Sequence, residues 1–178
     1  MSHKIALADL EKVPQLETIA STCDHIDSKS YQGEGLMSDF LSGFLSYQPA
    51  WLKGLYRVRG VFVRLLGMKQ EKTPDMGEKD QVIPMQAGEK AAIFTVNDAK
   101  HEDYWLVSAT EKHLTAYLCV TATDIETSPR TFNVITLVKY HHWTGIIYFT
   151  VIKPFHHIVV DQMAKAGVKY ASEKIKRV

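Results

Sequence analysis

The spacing of apolar residues changes along this chain, from a helical period to a period of two and, from about residue 154, back to a helical one. Up to about residue 20, Leu7, Leu10, Val13, Leu16 and Ile19 recur at every third position, which predicts a short helix weakened by Pro14. Residues 24–31 are polar and read either as a first edge strand or as a turn or cap built on Asp24, Asp27 and Ser28. Met37, Phe40, Leu41, Phe44 and Leu45 follow at spacings of three and four, with Ser38 placed as an N-cap. Pro49 ends that turn, and Trp51, Leu52, Leu55, Val58, Phe62, Leu65 and Leu66 predict a second helix that stops at Gly67. Residues 68–80 are rich in charge and read as a solvated loop.

After that loop the period is two. Ala92, Phe94 and Val96 form one alternating set, Leu114, Ala116, Leu118, Val120 and Ala122 a second, and Phe132, Val134, Thr136, Val138 and Tyr140 a third. Successive strand residues point to opposite faces, so each run offers one more apolar face. Residues 104–109 predict a further strand, but both faces carry apolar residues and its orientation stays open. The breaks between these runs are short, which favours an antiparallel meander. Residues 146–152 (IIYFTVI) have strand propensity, whereas Phe155, Ile158, Val159, Gln162, Met163 and Ala166 follow a helical spacing. Local rules therefore allow a last strand or one long helix with Pro154 inside it.

Composition narrows the class. In 178 residues, 46% are hydrophobic, and 21 Lys and Arg face 20 Asp and Glu for a formal charge of +1. That mix suits one domain over residues 1–178, with residues 1–20 as an extension or short helix. Without a cationic excess, bulk attraction to nucleic acid is not expected. Cys23 and Cys119 are too few for a disulfide framework and read as reduced thiols. No long uncharged leader or apolar span is visible, so the expectation is a cytoplasmic protein without stable membrane insertion. Lys53, Arg57, Arg59, Arg64 and Lys69 form a local basic cluster, read as the solvated side of a core-facing helix rather than a membrane-binding surface.

The block LVKYHHWTGIIYFTVIKPFHHIVVDQM at 137–163 resembles the signature of a bacterial family, domain of unknown function 2867. His141, His142, Gly145, Tyr148, Phe149, Pro154, Phe155 and His156 carry the match, supported by PAWLKGLYRVRG at 49–60 and EKHL at 111–114. The family is similar to the START-like, or Bet v 1-like, superfamily. The resemblance implies an α+β helix-grip fold: a curved antiparallel sheet gripping a long C-terminal helix, with two shorter helices after the first strand. It also resolves the stretch from about Gly145 as helix. Such folds commonly enclose a cavity for an apolar small molecule, and the resemblance adds a dehydrogenase-like partner as a helper-module reading.

The candidate chemistry is sparse. His141–His142 and His156–His157 would assemble four imidazoles if their segments met, but neighbouring residues on a strand or helix diverge, and no metal-ligand spacing accompanies them. No metal or cofactor is expected. Ser108 and Thr136 lack a nucleophile elbow, Cys119 falls on the polar side of its strand, and Gly33–Gly35 is no dinucleotide fingerprint. Tyr104, Tyr140 and Tyr148 offer hydroxyls to orient a ligand. The expected ligand site comprises Phe94, Val96, Leu118, Val120, Val134, Thr136, Val138, Tyr140, Tyr148, Ile152, Phe155 and His156. A binding protein is favoured over an enzyme; the alternative is a cyclase- or isomerase-like catalyst with His156 as acid or base.

Overall fold

The computed structural model describes residues 5–51, 54, 60, 82–124 and 126–177. Two short helices open it, α1 (Leu7–Lys12) and α2 (Leu16–Thr22), followed by strand β1 (His25–Gly33) and helix α3 (Met37–Leu45). Five strands come next: β2 (Lys90–Ala91), β3 (Phe94–Lys100), β4 (Tyr104–Thr110), β5 (Leu114–Ala122) and β6 (Arg130–Tyr140). Helix α4 (Trp143–Ile175) closes the chain. The strands make one curved antiparallel sheet in the order β1-β6-β5-β4-β3-β2, with β1 and β2 at its borders. The second helix expected after β1, its basic cluster and the loop at 68–80 fall almost wholly outside the described residues.

One side of the sheet faces α3 and α4. Val96, Trp105, Val107, Leu118, Val120, Phe132 and Val134 form the main core there, together with Met37, Phe40, Leu41 and Phe44 of α3. Phe40 stacks on Phe132 with ring centroids 4.5 Å apart, which fixes α3 over β6. Helix α3 meets α4 where glycines replace side chains: a Cβ on Gly43 would lie 2.5 Å from the Tyr170 Cβ, and one on Gly167 would lie 2.7 Å from the Phe40 carbonyl oxygen. The N-terminus of α3 is capped from a distant turn. Glu102 accepts hydrogen bonds from the Met37 and Ser38 amides and from buried Arg130.

The opposite side of the sheet is also covered, which the alternation did not reveal. Val13 and Leu16 from the N-terminal helices pack on Tyr104, Leu106, Cys119, Ile135 and Leu137. Cys119 is therefore fully buried rather than on a polar face. The two apolar faces of β4 have the same origin: Trp105 and Val107 turn to α4, while Tyr104 and Leu106 turn to α1 and α2. Asp9 ties that layer down, accepting from Thr121 Oγ1 at 2.5 Å and Asn133 Nδ2 at 3.0 Å. The single helix expected up to residue 20 is two helices, because Pro14 sits at the break between them and proline lacks the amide a continuous helix needs.

Helix α4 settles the ambiguous segment. Its buried positions Gly145, Tyr148, Phe149, Val160, Met163, Ala164, Gly167 and Ala171 recur at helical spacing, so packing overrides the strand propensity of 146–152. Pro154 lies inside the helix.

Candidate functional site: an imidazole cluster between the edge strand and the long helix

Strand β1 and helix α4 lie alongside one another. The odd-numbered residues of β1 follow α4 in order. His25 meets Phe149, Asp27 meets His157, Tyr31 meets Asp161, and Gly33 lies against Val168. The lengths agree: eight strand steps from His25 to Gly33 span about 26 Å, and the nineteen helical residues from Phe149 to Val168 rise about 28 Å.

Pairing extends β1 across the sheet. Asp27 sits opposite Thr136, Thr136 opposite Leu118, Leu118 opposite Val107, and Val107 opposite Val96. The row runs from polar at the border to apolar in the middle. Neighbouring rows repeat it: His25 pairs with Val138, and Lys29 with Val134. The face beneath α4 is thus amphipathic, with its polar groups concentrated on β1.

Three imidazoles gather at that border. His25 lies 6.2 Å from His157 and 5.0 Å from Phe149 between ring centroids, and His156 lies 6.2 Å from His157. Asp27, only 8% exposed, accepts from His157 Nδ1 at 3.1 Å. Lys29 donates its ammonium to the His157 carbonyl at 3.3 Å. Nε2 of His25 and Nε2 of His156 are buried and have no hydrogen-bond partner among the described residues. His156 as a whole keeps partial exposure, so its Nε2 edge is the part turned inward. Burial pushes the His156 imidazole down to about 4, with His157, His25 and Lys29 adding to the fall and Asp27 opposing it. His25 is lowered by burial and then by Lys153 and His157, against Asp27. Both rings are neutral at ordinary pH.

The expected ligand-lining residues divide in space. Val96, Leu118, Val120 and Val134 belong to the main core, with Phe94 packed at its margin. Val138 and Tyr148 join Phe149, with Tyr140 and Ile152 at their edge, in a smaller cluster under the first turns of α4. Thr136 is buried on the inner face. Phe155 departs from the expectation: it is 45% exposed and lies with Trp143, Ile147 and Val151 on the outward side of α4. Tyr104 departs too, being on the other side of the sheet with its hydroxyl donating to Asp98 at 2.9 Å.

The four-imidazole arrangement does not form. His141 Nε2 lies 2.9 Å from Thr115 Oγ1, and His142 is an exposed residue at the start of α4. His157 instead reaches β1, where it meets His25 and Asp27, and His156 lies beside it on α4. No group of three or more His, Cys, Asp or Glu among the described residues has the geometry to hold a metal ion. His25 and Asp27 were missed in the sequence. The signal was present, since His25, Asp27, Lys29 and Tyr31 alternate as strictly as the apolar strands do, but the alternating residues are polar.

These features define a helix-grip protein with an amphipathic inner face and an imidazole cluster at the border of its sheet. Residues 19–163 match the DUF2867 family, described as proteins of unknown function, and the chain belongs to that family. No curated protein matches it. Among solved structures, a hypothetical protein from Helicobacter pylori is 16% identical, with 96% of this chain and 99% of that one covered and a TM-score of 0.38. An Arabidopsis thaliana member of the major latex protein family is 12% identical, covering 76% of this chain and 95% of its own, with a TM-score of 0.25. No helix among the described residues is long and apolar enough to cross a membrane.

Proposed function

We propose that the protein binds a small, largely apolar molecule between the inner sheet face and the first half of α4, with His156 and His25 fixing its polar end. One observation carries the reading. Two neutral imidazoles present buried Nε2 atoms, without a partner among the described residues, beside an apolar wall of Phe149, Tyr140, Val138 and Ile152. An unmet buried polar atom costs about 1–3 kcal/mol, and a bound molecule that supplies the missing hydrogen bond recovers that energy. The apolar wall supplies affinity in proportion to the ligand area it removes from water.

Native mass spectrometry of gently purified protein, followed by a thermal-shift screen against fractionated lipid and metabolite extracts, tests this. A bound mass that disappears on organic extraction, or a fraction that raises the melting temperature, is expected. An unliganded mass together with a flat screen overturns the reading.

A second reading rests on the Asp27–His157 contact. A carboxylate that holds Nδ1–H fixes the ring and leaves Nε2 as a proton acceptor, the arrangement of an oriented general base. With His156 beside it, the cluster suits proton transfer on a bound molecule, as in a cyclase or isomerase. Chemical change of the molecule recovered by the first experiment, lost in Asp27→Asn, separates catalysis from binding.

A further inference from the structure

The charges around the two orphan nitrogens are unevenly answered. Among the described residues, the titratable and charged groups facing them are Asp27, Lys29 and Tyr31 from β1 and Lys153, His157 and Asp161 from α4. Strand β6 contributes the uncharged Thr136 and the phenol of Tyr140, whose ring lies 6.0 Å from that of Phe149. Each acid is engaged: Asp27 holds His157, while Asp161 pairs with Lys165 at 2.8 Å and accepts from the Tyr31 hydroxyl at 3.2 Å. The cations are answered less closely. Lys29 donates to the His157 carbonyl and acts on Asp161 only at longer range, and neither it nor Lys153 has a carboxylate within ion-pair distance among the described residues.

We infer that this site receives the acidic head of an apolar carboxylic acid, and that one proton enters with it. The inference rests on the binding reading above and names its ligand class. The carboxylate accepts a hydrogen bond from His156 Nε2–H, and the ring takes a proton from solvent on its other nitrogen. No covalent bond to carbon changes. A carboxylate entering this partly dry border needs donors and positive charge, and the imidazole pair with Lys29 and Lys153 supplies both. A neutral alcohol satisfies the hydrogen bond but leaves the two ammonium groups without a close carboxylate.

Calorimetric titration of the full chain with two matched pairs separates these cases: decanoate against decan-1-ol, and 2-naphthoate against 2-naphthol. Titrations at pH 5.5 and 7.5, in buffers of different ionisation enthalpy, count the protons exchanged. The acid is expected to bind at least about tenfold tighter than its alcohol at pH 5.5, to weaken as pH rises, and to take up a proton; the alcohol is expected to ignore pH. His156→Gln keeps a donor but cannot gain the proton, so the acid's pH dependence should vanish. Should that variant fail to fold, Lys153→Gln on the helix surface should weaken the acid about three- to tenfold and leave the alcohol unchanged. Alcohol binding equal to acid binding overturns the acidic head and leaves the binding reading standing, as does a natural ligand without an acidic group. No binding by either pair, with a flat extract screen, removes both.

Discussion

Asp27 on the edge strand and His157 on the long helix meet at 3.1 Å, which joins the two elements within their shared length. The carboxylate is buried, and so the contact holds more than a surface ion pair would. Asp27→Asn keeps the size and replaces the acceptor facing Nδ1 with a group that fits it less well. The variant should lose about 1–3 kcal/mol in urea unfolding, with an unchanged m-value. Stability equal to that of the parent chain would show that the contact does not hold the helix.

Acid should weaken the protein through His156. In the unfolded chain this imidazole takes a proton near its ordinary 6.5, whereas in the fold it resists protonation until about 4. The folded state then binds fewer protons, so the stability tied to this group is full above 6.5 and is lost as pH falls from 6.5 towards 4. The gap is worth at most about 3 kcal/mol. His156→Leu removes the titrating group, and its stability relative to the parent should rise by up to that amount between pH 7 and pH 4. Parallel stability curves from denaturant melts would remove burial as the cause.

The crossing of α3 over α4 should tolerate no added methyl. Gly43→Ala places a carbon 2.5 Å from the Tyr170 Cβ and 2.9 Å from the Ala166 carbonyl oxygen, both on the opposing helix. The helices must separate to admit it, which should cost about 1–3 kcal/mol by thermal unfolding. Gly54→Ala is the control, because a Cβ there meets nothing within 4 Å among the described residues.

The two thiols should react unequally. Cys119 is fully buried under α1 and α2, and burial pushes its thiol up; Cys23 is part-exposed and is raised less strongly. A disulfide reagent at pH 8 should modify Cys23 alone in the native protein, with Cys119 following only in denaturant. Removing residues 1–22 should make Cys119 reactive under native conditions and increase binding of a dye for apolar surface. Equal native rates at both thiols would contradict the two-layer cover of the sheet.

Much of the fold can be read from local pattern. Leu114 to Ala122 and Phe132 to Tyr140 alternate because one face of each strand meets the helices, and the apolar spacing at 37–45 marks α3 directly. Two things were hidden. The outer face of the sheet carries Tyr117, Cys119 and Thr121, which look solvent-facing until a short N-terminal segment is known to cover them. The site was harder still. His25 and His157 are distant in sequence, and only the pairing of β1 with β6 and the line of α4 bring them together. Local rules see two histidines beside a proline and a polar stretch near the start, and they have no means of placing one against the other.

The strand order has a consequence for the protein's behaviour in a crowded solution. A sheet recruits foreign chains through its unpaired borders. One border here is β2, two residues long, which pairs with only the first two residues of β3. The other is β1, which carries Lys29 and His25 and is overlain by α4. The same polar residues that build the imidazole cluster therefore discourage strand-by-strand aggregation, and replacing them with apolar ones would trade a recognition site for an adhesive rim.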